Sequence, residues 1–169
     1  MAFDVTPYQA CFEDVHPSTL QRIIEVESGG NPIALNINGA VLPRKPKSKE
    51  EAIDIAQQYI DKGYSVDVGF MQINSNNFAR YGVTLSSVLD PCTNIKTGSR
   101  ILHDAYQRAY QLEGNAQSAL LVALSIYNTG NTQRGFKNGY VGKYTGKYTF
   151  STSPTNFAIT TIDIDGLYD

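Results

Sequence analysis

Glu27 lies where a helix-like run meets a stop, in Ile23-Ile24-Glu25-Val26-Glu27-Ser28-Gly29-Gly30-Asn31-Pro32. At about 100° per residue, Leu20, Ile23, Ile24 and Glu27 share one face, and Glu25 points roughly 140° away from Leu20. The two acids are therefore expected in different surroundings. Glu25 reads as a solvated surface carboxylate, Glu27 as a partly desolvated one at a helix end. Desolvation penalises the charged form and raises a glutamate above its ordinary value of about 4.3. A carboxyl that holds a proton and can release it is what general acid catalysis requires.

Two further blocks set polar groups beside chain-breaking residues. Gly69-Phe70-Met71-Gln72-Ile73-Asn74 follows Asp67-Val68; taken alone, Gln72 and Asn74 read as turn or strand-edge amides. Ala123-Leu124-Ser125-Ile126-Tyr127-Asn128-Thr129-Gly130 ends a second apolar stripe on Tyr127. Alone, that residue reads as a core aromatic with its hydroxyl at a boundary. His16 and His103 stand apart as surface or capping residues, and neither an HExxH pair nor a Gly-rich phosphate loop occurs. No metal and no cofactor are expected.

The elements that must position these blocks are mostly helices. His16-Pro17-Ser18-Thr19 opens the first, with Pro17 suited to the opening turn, and Gly29, Gly30 and Pro32 close it. Ala34 to Leu42 alternates apolar and polar residues around Asn38-Gly39, a hairpin signal. A basic, proline-broken loop, Pro43-Arg44-Lys45-Pro46-Lys47, reads as a solvated face, and Ser48-x-x-Glu51 is a capping box opening a helix to about Asp61. Short helical pieces are expected near Ser75–Arg80 and Leu85–Leu89. A longer helix from about Asn94 to Leu112 lines up Leu102, Ala105, Ala109 and Leu112. Asn115 caps the next, whose apolar face runs Leu120, Ala123, Leu124 and Tyr127. Gln133 to Tyr144 forms one more helix, and the remainder, rich in Ser, Thr and β-branched residues, reads as an extended or flexible tail.

With 169 residues, 41% of them hydrophobic, the chain is long enough for one domain with a real core. No stretch approaches the ~20 apolar residues of a membrane span, and Met1 to Ala10 lacks the regions of a signal peptide. Fourteen basic against sixteen acidic residues give a net charge of -2, which argues against nucleic acid as a partner. Cys11 and Cys92 are the only cysteines and have no CxxC spacing. Buried free thiols are one reading; a disulfide between two helix edges, in an oxidising compartment, is the one we adopt.

Taken in order, the blocks beginning at Glu27, Gly69 and Ala123 resemble the catalytic domain of lytic transglycosylases. The Asp67-Val68-Gly69 approach, Asn74-Ser75 and the surroundings of Cys92 resemble the VirB1-like members that accompany type IV secretion systems. The likeness covers about Cys11 to Tyr144. It implies an α+β, predominantly α, lysozyme-like fold in which a small β-hairpin flanks a glycan-binding groove, with residues 1–144 as the catalytic domain and 145–169 as the tail. It implies Glu27 as the catalytic acid and base, with Tyr127 close to it. Ser28 would support the helix end, Gly69, Met71, Gln72 and Asn74 would line the groove, and Asn128 would shape the turn after Tyr127. Many soluble members have Met where this chain has Asn74.

The implied substrate is a peptidoglycan glycan strand, the implied location the periplasm or cell envelope, and the implied partners type IV secretion subunits. A retaining lysozyme uses a second carboxylate as nucleophile, whereas substrate-assisted glycosidases do without one. In the transglycosylases the N-acetyl group of muramic acid takes that part, and the C6 hydroxyl closes a 1,6-anhydro ring. Two other functions stay open. One is a muramidase on the same fold that hydrolyses with water, with Asp67 as its second carboxylate. The other is a non-catalytic scaffold that binds glycan or secretion subunits.

Overall fold

The computed structural model describes residues 2–145. Thr6–Cys11 is a 3-10 segment, followed by α1 (Pro17–Ser28), β1 (Leu35–Ile37), α2 (Lys49–Asp61), β2 (Val66–Val68) and β3 (Ile73–Asn74). A 3-10 turn, Ser75–Asn77, leads into α3 (Phe78–Tyr81), α4 (Leu85–Val88), α5 (Pro91–Glu113), α6 (Ala116–Thr129), α7 (Arg134–Lys137) and α8 (Gly142–Thr145). Helices with one small antiparallel sheet are the α+β, predominantly α, lysozyme-like class expected. The chain divides into two compact units, 1–100 and 101–169, and the division falls within α5. The tail expected from 145 onward lies outside the described residues except for Thr145.

In the first unit α1 begins and ends as its sequence dictates. The His16 ring accepts the Ser18 N–H, Pro17 occupies the first helical position, and Gly29 closes the helix in the left-handed region at φ 61°. Leu20, Ile23 and Ile24 are fully buried, each contributing about 1.5–3 kcal/mol of apolar burial. Ser48 caps α2 by accepting the Glu51 N–H at 3.2 Å. The Glu51 carboxylate does not complete the capping box. It accepts from the Lys47 N–H at 2.6 Å and pairs with Arg44 at 2.5 Å, drawing one end of the basic loop onto the helix.

The hairpin expected within Ala34–Leu42 is not formed. Leu35–Ile37 pairs instead with Val66–Val68, in the register Leu35↔Val68 and Ile37↔Val66, so α2 lies between the two strands in sequence. The apolar alternation was sound, since Leu35, Ile37, Val66 and Val68 are all buried. What fails is the return strand, because Pro43 has no N–H to give a ladder and the chain leaves the sheet with Val41 86% exposed. The local hairpin of the three-stranded sheet is β2–β3, with Val68↔Ile73 closed by Gly69-Phe70-Met71-Gln72. The second sequence block is thus the sheet's turn.

In the second unit Leu102, Ala105 and Ala109 are buried as predicted, but Leu112 is 69% exposed. Residues 110–114 are all exposed, so the apolar stripe ends a turn before α5 does. Asn115 caps α6 by accepting the Ser118 N–H at 2.9 Å, and every residue from Ala119 to Ser125 is buried. A helix covered all round is a central one. The single helix expected over Gln133–Tyr144 is two short ones, because Gly139 adopts φ 82° between them. His103, expected at the surface, has a buried Nδ1 with no hydrogen-bond partner.

Candidate active site

Glu27 is half-buried in the last turn of α1, on the helix whose Ile23 and Ile24 are fully buried. Ser28 bonds to the backbone on both sides of that helix end. Its hydroxyl donates to the Ile24 carbonyl at 3.1 Å and accepts the Gly30 N–H at 3.2 Å. The hydroxyl thereby bridges the last turn of α1 and the backbone leaving it, and fixes the turn after Glu27. The turn continues through the Asn31 N–H to the Ser28 carbonyl and the Ala34 N–H to the Asn31 carbonyl.

Glu25 differs from its sequence reading. Its carboxylate is only 25% exposed, accepts the Phe3 N–H at 3.1 Å and pairs with Arg22 at 3.5 Å. Helical angle alone separates it from Glu27, but the N-terminal segment folds over the side that the angle would leave to solvent. Glu25 thus ties the N-terminal segment to α1.

The Gly69–Gln72 turn is joined to the loop after Glu27 at one atom. The Ala34 carbonyl accepts both the Gly69 N–H at 2.8 Å and the Gln72 side-chain amide at 3.2 Å. Gln72 Nε2 also donates to the Gly69 carbonyl at 3.0 Å. Gly69 has φ 78° and Gln72 φ 50°; a left-handed conformation at a non-glycine residue costs about 1–2 kcal/mol and must be held by its surroundings. Gln72 therefore shapes the turn with its nitrogen. Met71, expected to line the groove, is fully buried, and a Cβ on Gly98 would collide with its side chain. Its apolar thioether packs against α5 at Gly98 and supports the turn from within.

Asn74 is likewise engaged inside the sheet. Its Nδ2 donates to Asp67 Oδ1 at 2.7 Å and to Ser65 Oγ at 3.3 Å, and its Oδ1 accepts the Asn76 N–H at 3.0 Å. Asp67 Oδ2 accepts from Asn36 and Asn38, each at 3.0 Å. One carboxylate thus ties side chains of β1, β2 and β3 across the polar face of the sheet. Charge-assisted bonds of this kind are the stronger ones.

Sequence reasoning missed Asn94. It is 1% exposed, accepts the Met71 N–H at 2.8 Å, and donates to the carbonyls of Val68 at 3.0 Å and Val88 at 2.8 Å. Gly69 is glycine for its sake, since a Cβ there would collide with the Asn94 amide. A polar residue on the buried face of a helix was the available signal, because an amide there needs backbone partners. In the same unit Cys11 and Cys92 are bonded, with S–S 2.04 Å and Cα–Cα 5.3 Å.

In the second unit Tyr127 is half-buried in the last turn of α6, and Gly130 closes the helix at φ 69°. Asn128 is exposed and its Oδ1 accepts from the Asn138 amide at 3.0 Å, linking the ends of α6 and α7. Buried Ser125 fixes the same turn, donating to the Asn131 carbonyl at 2.6 Å and accepting the Gly135 N–H at 2.9 Å. Gly135 passes so close that a Cβ would lie 2.6 Å from Ser125 Cα. Among the described residues no cluster of three His, Cys, Asp or Glu could hold a metal ion, and no helix is long and apolar enough to cross a membrane.

The family model described as Transglycosylase SLT domain matches residues 6–150. The type IV secretion system protein virB1 of Brucella abortus biovar 1 (strain 9-941) is 44% identical over 130 residues, which are 76% of this chain and 55% of that protein. Protein virB1 of Agrobacterium fabrum is 36% identical over 131 residues, 78% of this chain and 53% of its own length. Protein virB1 of Rhizobium radiobacter is 37% identical over 131 residues, 78% of this chain and 54% of its own length. The chain spans about half the length of the curated relatives it matches. No solved structure matches it significantly. The chain belongs to the transglycosylase SLT domain family, and within that family it is VirB1-like.

Proposed function

We propose that this chain is a lytic transglycosylase that cleaves the β-1,4 bond from N-acetylmuramic acid to N-acetylglucosamine in peptidoglycan. Glu27 protonates the departing glycosidic oxygen while the muramoyl acetamido oxygen supports the anomeric carbon. The resulting Glu27 carboxylate then takes the proton of the C6 hydroxyl, and O6 bonds to C1 to close the 1,6-anhydro ring. The proton returns to the enzyme, no water is consumed, and no cofactor enters. Tyr127 enters the proposal on its sequence block alone, as the hydroxyl that would serve the acid.

The observation that carries this reading is how Asp67, the candidate second carboxylate, is engaged. Both oxygens of Asp67 accept from amides, those of Asn36, Asn38 and Asn74. A nucleophile must be free to turn toward the anomeric carbon, and three amide hydrogen bonds hold Asp67 in the sheet and draw electron density from its oxygens. That favours a nucleophile from the substrate over a second protein carboxylate. The names of the virB1 relatives support a setting in the cell envelope, where local opening of the wall would serve assembly of a type IV secretion system.

Digestion of purified peptidoglycan tests the chemistry. The released muropeptides should end in 1,6-anhydromuramic acid, resist borohydride reduction, and be lighter by about 18 Da than hydrolysis products. Predominantly reducing ends would make the protein a muramidase and Asp67 the next residue to substitute.

A further inference from the structure

We propose that Phe3 is a positioning residue. With Asn94 it clamps the Gly69–Gln72 turn beside the helix end that carries Glu27, an inference that rests on the reading of Glu27 as the acid. The Phe3 N–H is anchored on Glu25 Oε1 at 3.1 Å, two residues before the acid. Its ring covers Gly30, where a Cβ would lie 2.9 Å from Phe3 Cδ2. The same ring meets Phe70 edge-on, with centroids 5.0 Å apart at 64°. Tyr8 makes a second edge contact with Phe70 at 5.5 Å and 72°, and stacks against Phe3 at 6.0 Å and 11°. Phe70 is 3% exposed and stands between Gly69 and Met71.

The turn is thus gripped twice. The aromatic segment holds the side chain of Phe70, and Asn94 holds the backbone at Met71 and Val68. The Cys11–Cys92 bond joins the two grips, since Cys11 ends the 3-10 segment bearing Tyr8 and Cys92 precedes Asn94 on α5. A turn with left-handed Gly69 and Gln72 needs such support. The Phe3 ring touches both sides, Gly30 and Phe70, and the residue lies ahead of residues 6–150 that the family model matches. An error of about 1 Å in the setting of a reacting group can cost about 100-fold in rate, so a device that fixes acid helix and turn together should act on kcat.

The test compares Phe3→Ala and Phe3→Tyr with wild type by amide hydrogen exchange and by turnover of solubilised glycan strands freed of stem peptides. Phe3→Ala should speed exchange of the Gly69, Met71 and Gln72 amides about tenfold or more while leaving α6 amides unchanged. It should lower kcat about tenfold with KM changed less than about threefold, and Phe3→Tyr, which keeps the ring, should restore both. Unchanged exchange at these three amides overturns the clamp whatever the activity. Faster exchange with unchanged kcat overturns the positioning role. If wild type turns over no glycan, the transglycosylase reading fails by itself, and the exchange comparison still decides the clamp.

Discussion

In the proposed reaction the carboxyl at position 27 would donate a proton and then accept one, and an amide can do neither. Glu27→Gln keeps the shape of a half-buried side chain at the end of α1. Turnover of peptidoglycan should fall at least about 100-fold, the usual worth of a positioned acid-base group, with the circular dichroism spectrum and melting temperature retained. Activity within about tenfold of wild type would end the assignment. The position of Glu27 was legible because Leu20, Ile23 and Ile24 mark the buried face directly. Glu25 was misread because its partner, the Phe3 N–H, arrives from another part of the chain. Helical periodicity says which way a side chain points and nothing of what a distant segment lays over it.

Helix ends were legible where a local rule fixes them. His16 with Pro17, Ser48, Asn115, Gly29 and Gly130 all cap helices as their sequence neighbourhoods require. Strand pairing was not, because Leu35–Ile37 satisfies its ladder with Val66–Val68 across an intervening helix, and alternation encodes a face but no partner. The start of α5 decides whether Asn94 reaches the turn, and Asp90 governs that start. Asp90 Oδ1 accepts the Thr93 N–H at 2.9 Å, and this bond chiefly holds its carboxyl below the ordinary carboxylate range. A depressed folded-state pKa adds stability above the unfolded value of about 3.9 and loses it as pH falls through the folded one. Asp90→Ala should therefore cost about 1 kcal/mol at pH 7, as loss of a helix cap does, and the gap from wild type should narrow below about pH 4. Urea titrations at pH 7 and pH 3 measure it. An equal gap at both would show that ionised Asp90 is not the cap.

For the molecule as a whole, the family and the broad α+β class were legible from three short blocks, while the way the N-terminal segment is bound back was not. A cysteine pair announces a possible bridge, but the aromatic contacts of Phe3 and Tyr8 with Phe70 depend on where that bridge holds them. The bond joins residues 81 positions apart. In the chain-entropy view, closing a loop of that length removes about 4.5 kcal/mol of unfolded-state freedom. For a chain of this size that corresponds to a melting temperature lower by about 10–15 °C once the bond is reduced. Calorimetry with and without a phosphine reductant makes the comparison, with alkylation after denaturation reporting the thiol state. Two thiols should be alkylated only after reduction. A fully reduced protein melting within about 2 °C of the oxidised one would mean that native packing, not the covalent link, holds the N-terminal segment, because the entropic gain from so long a loop cannot otherwise vanish without strain in the folded state.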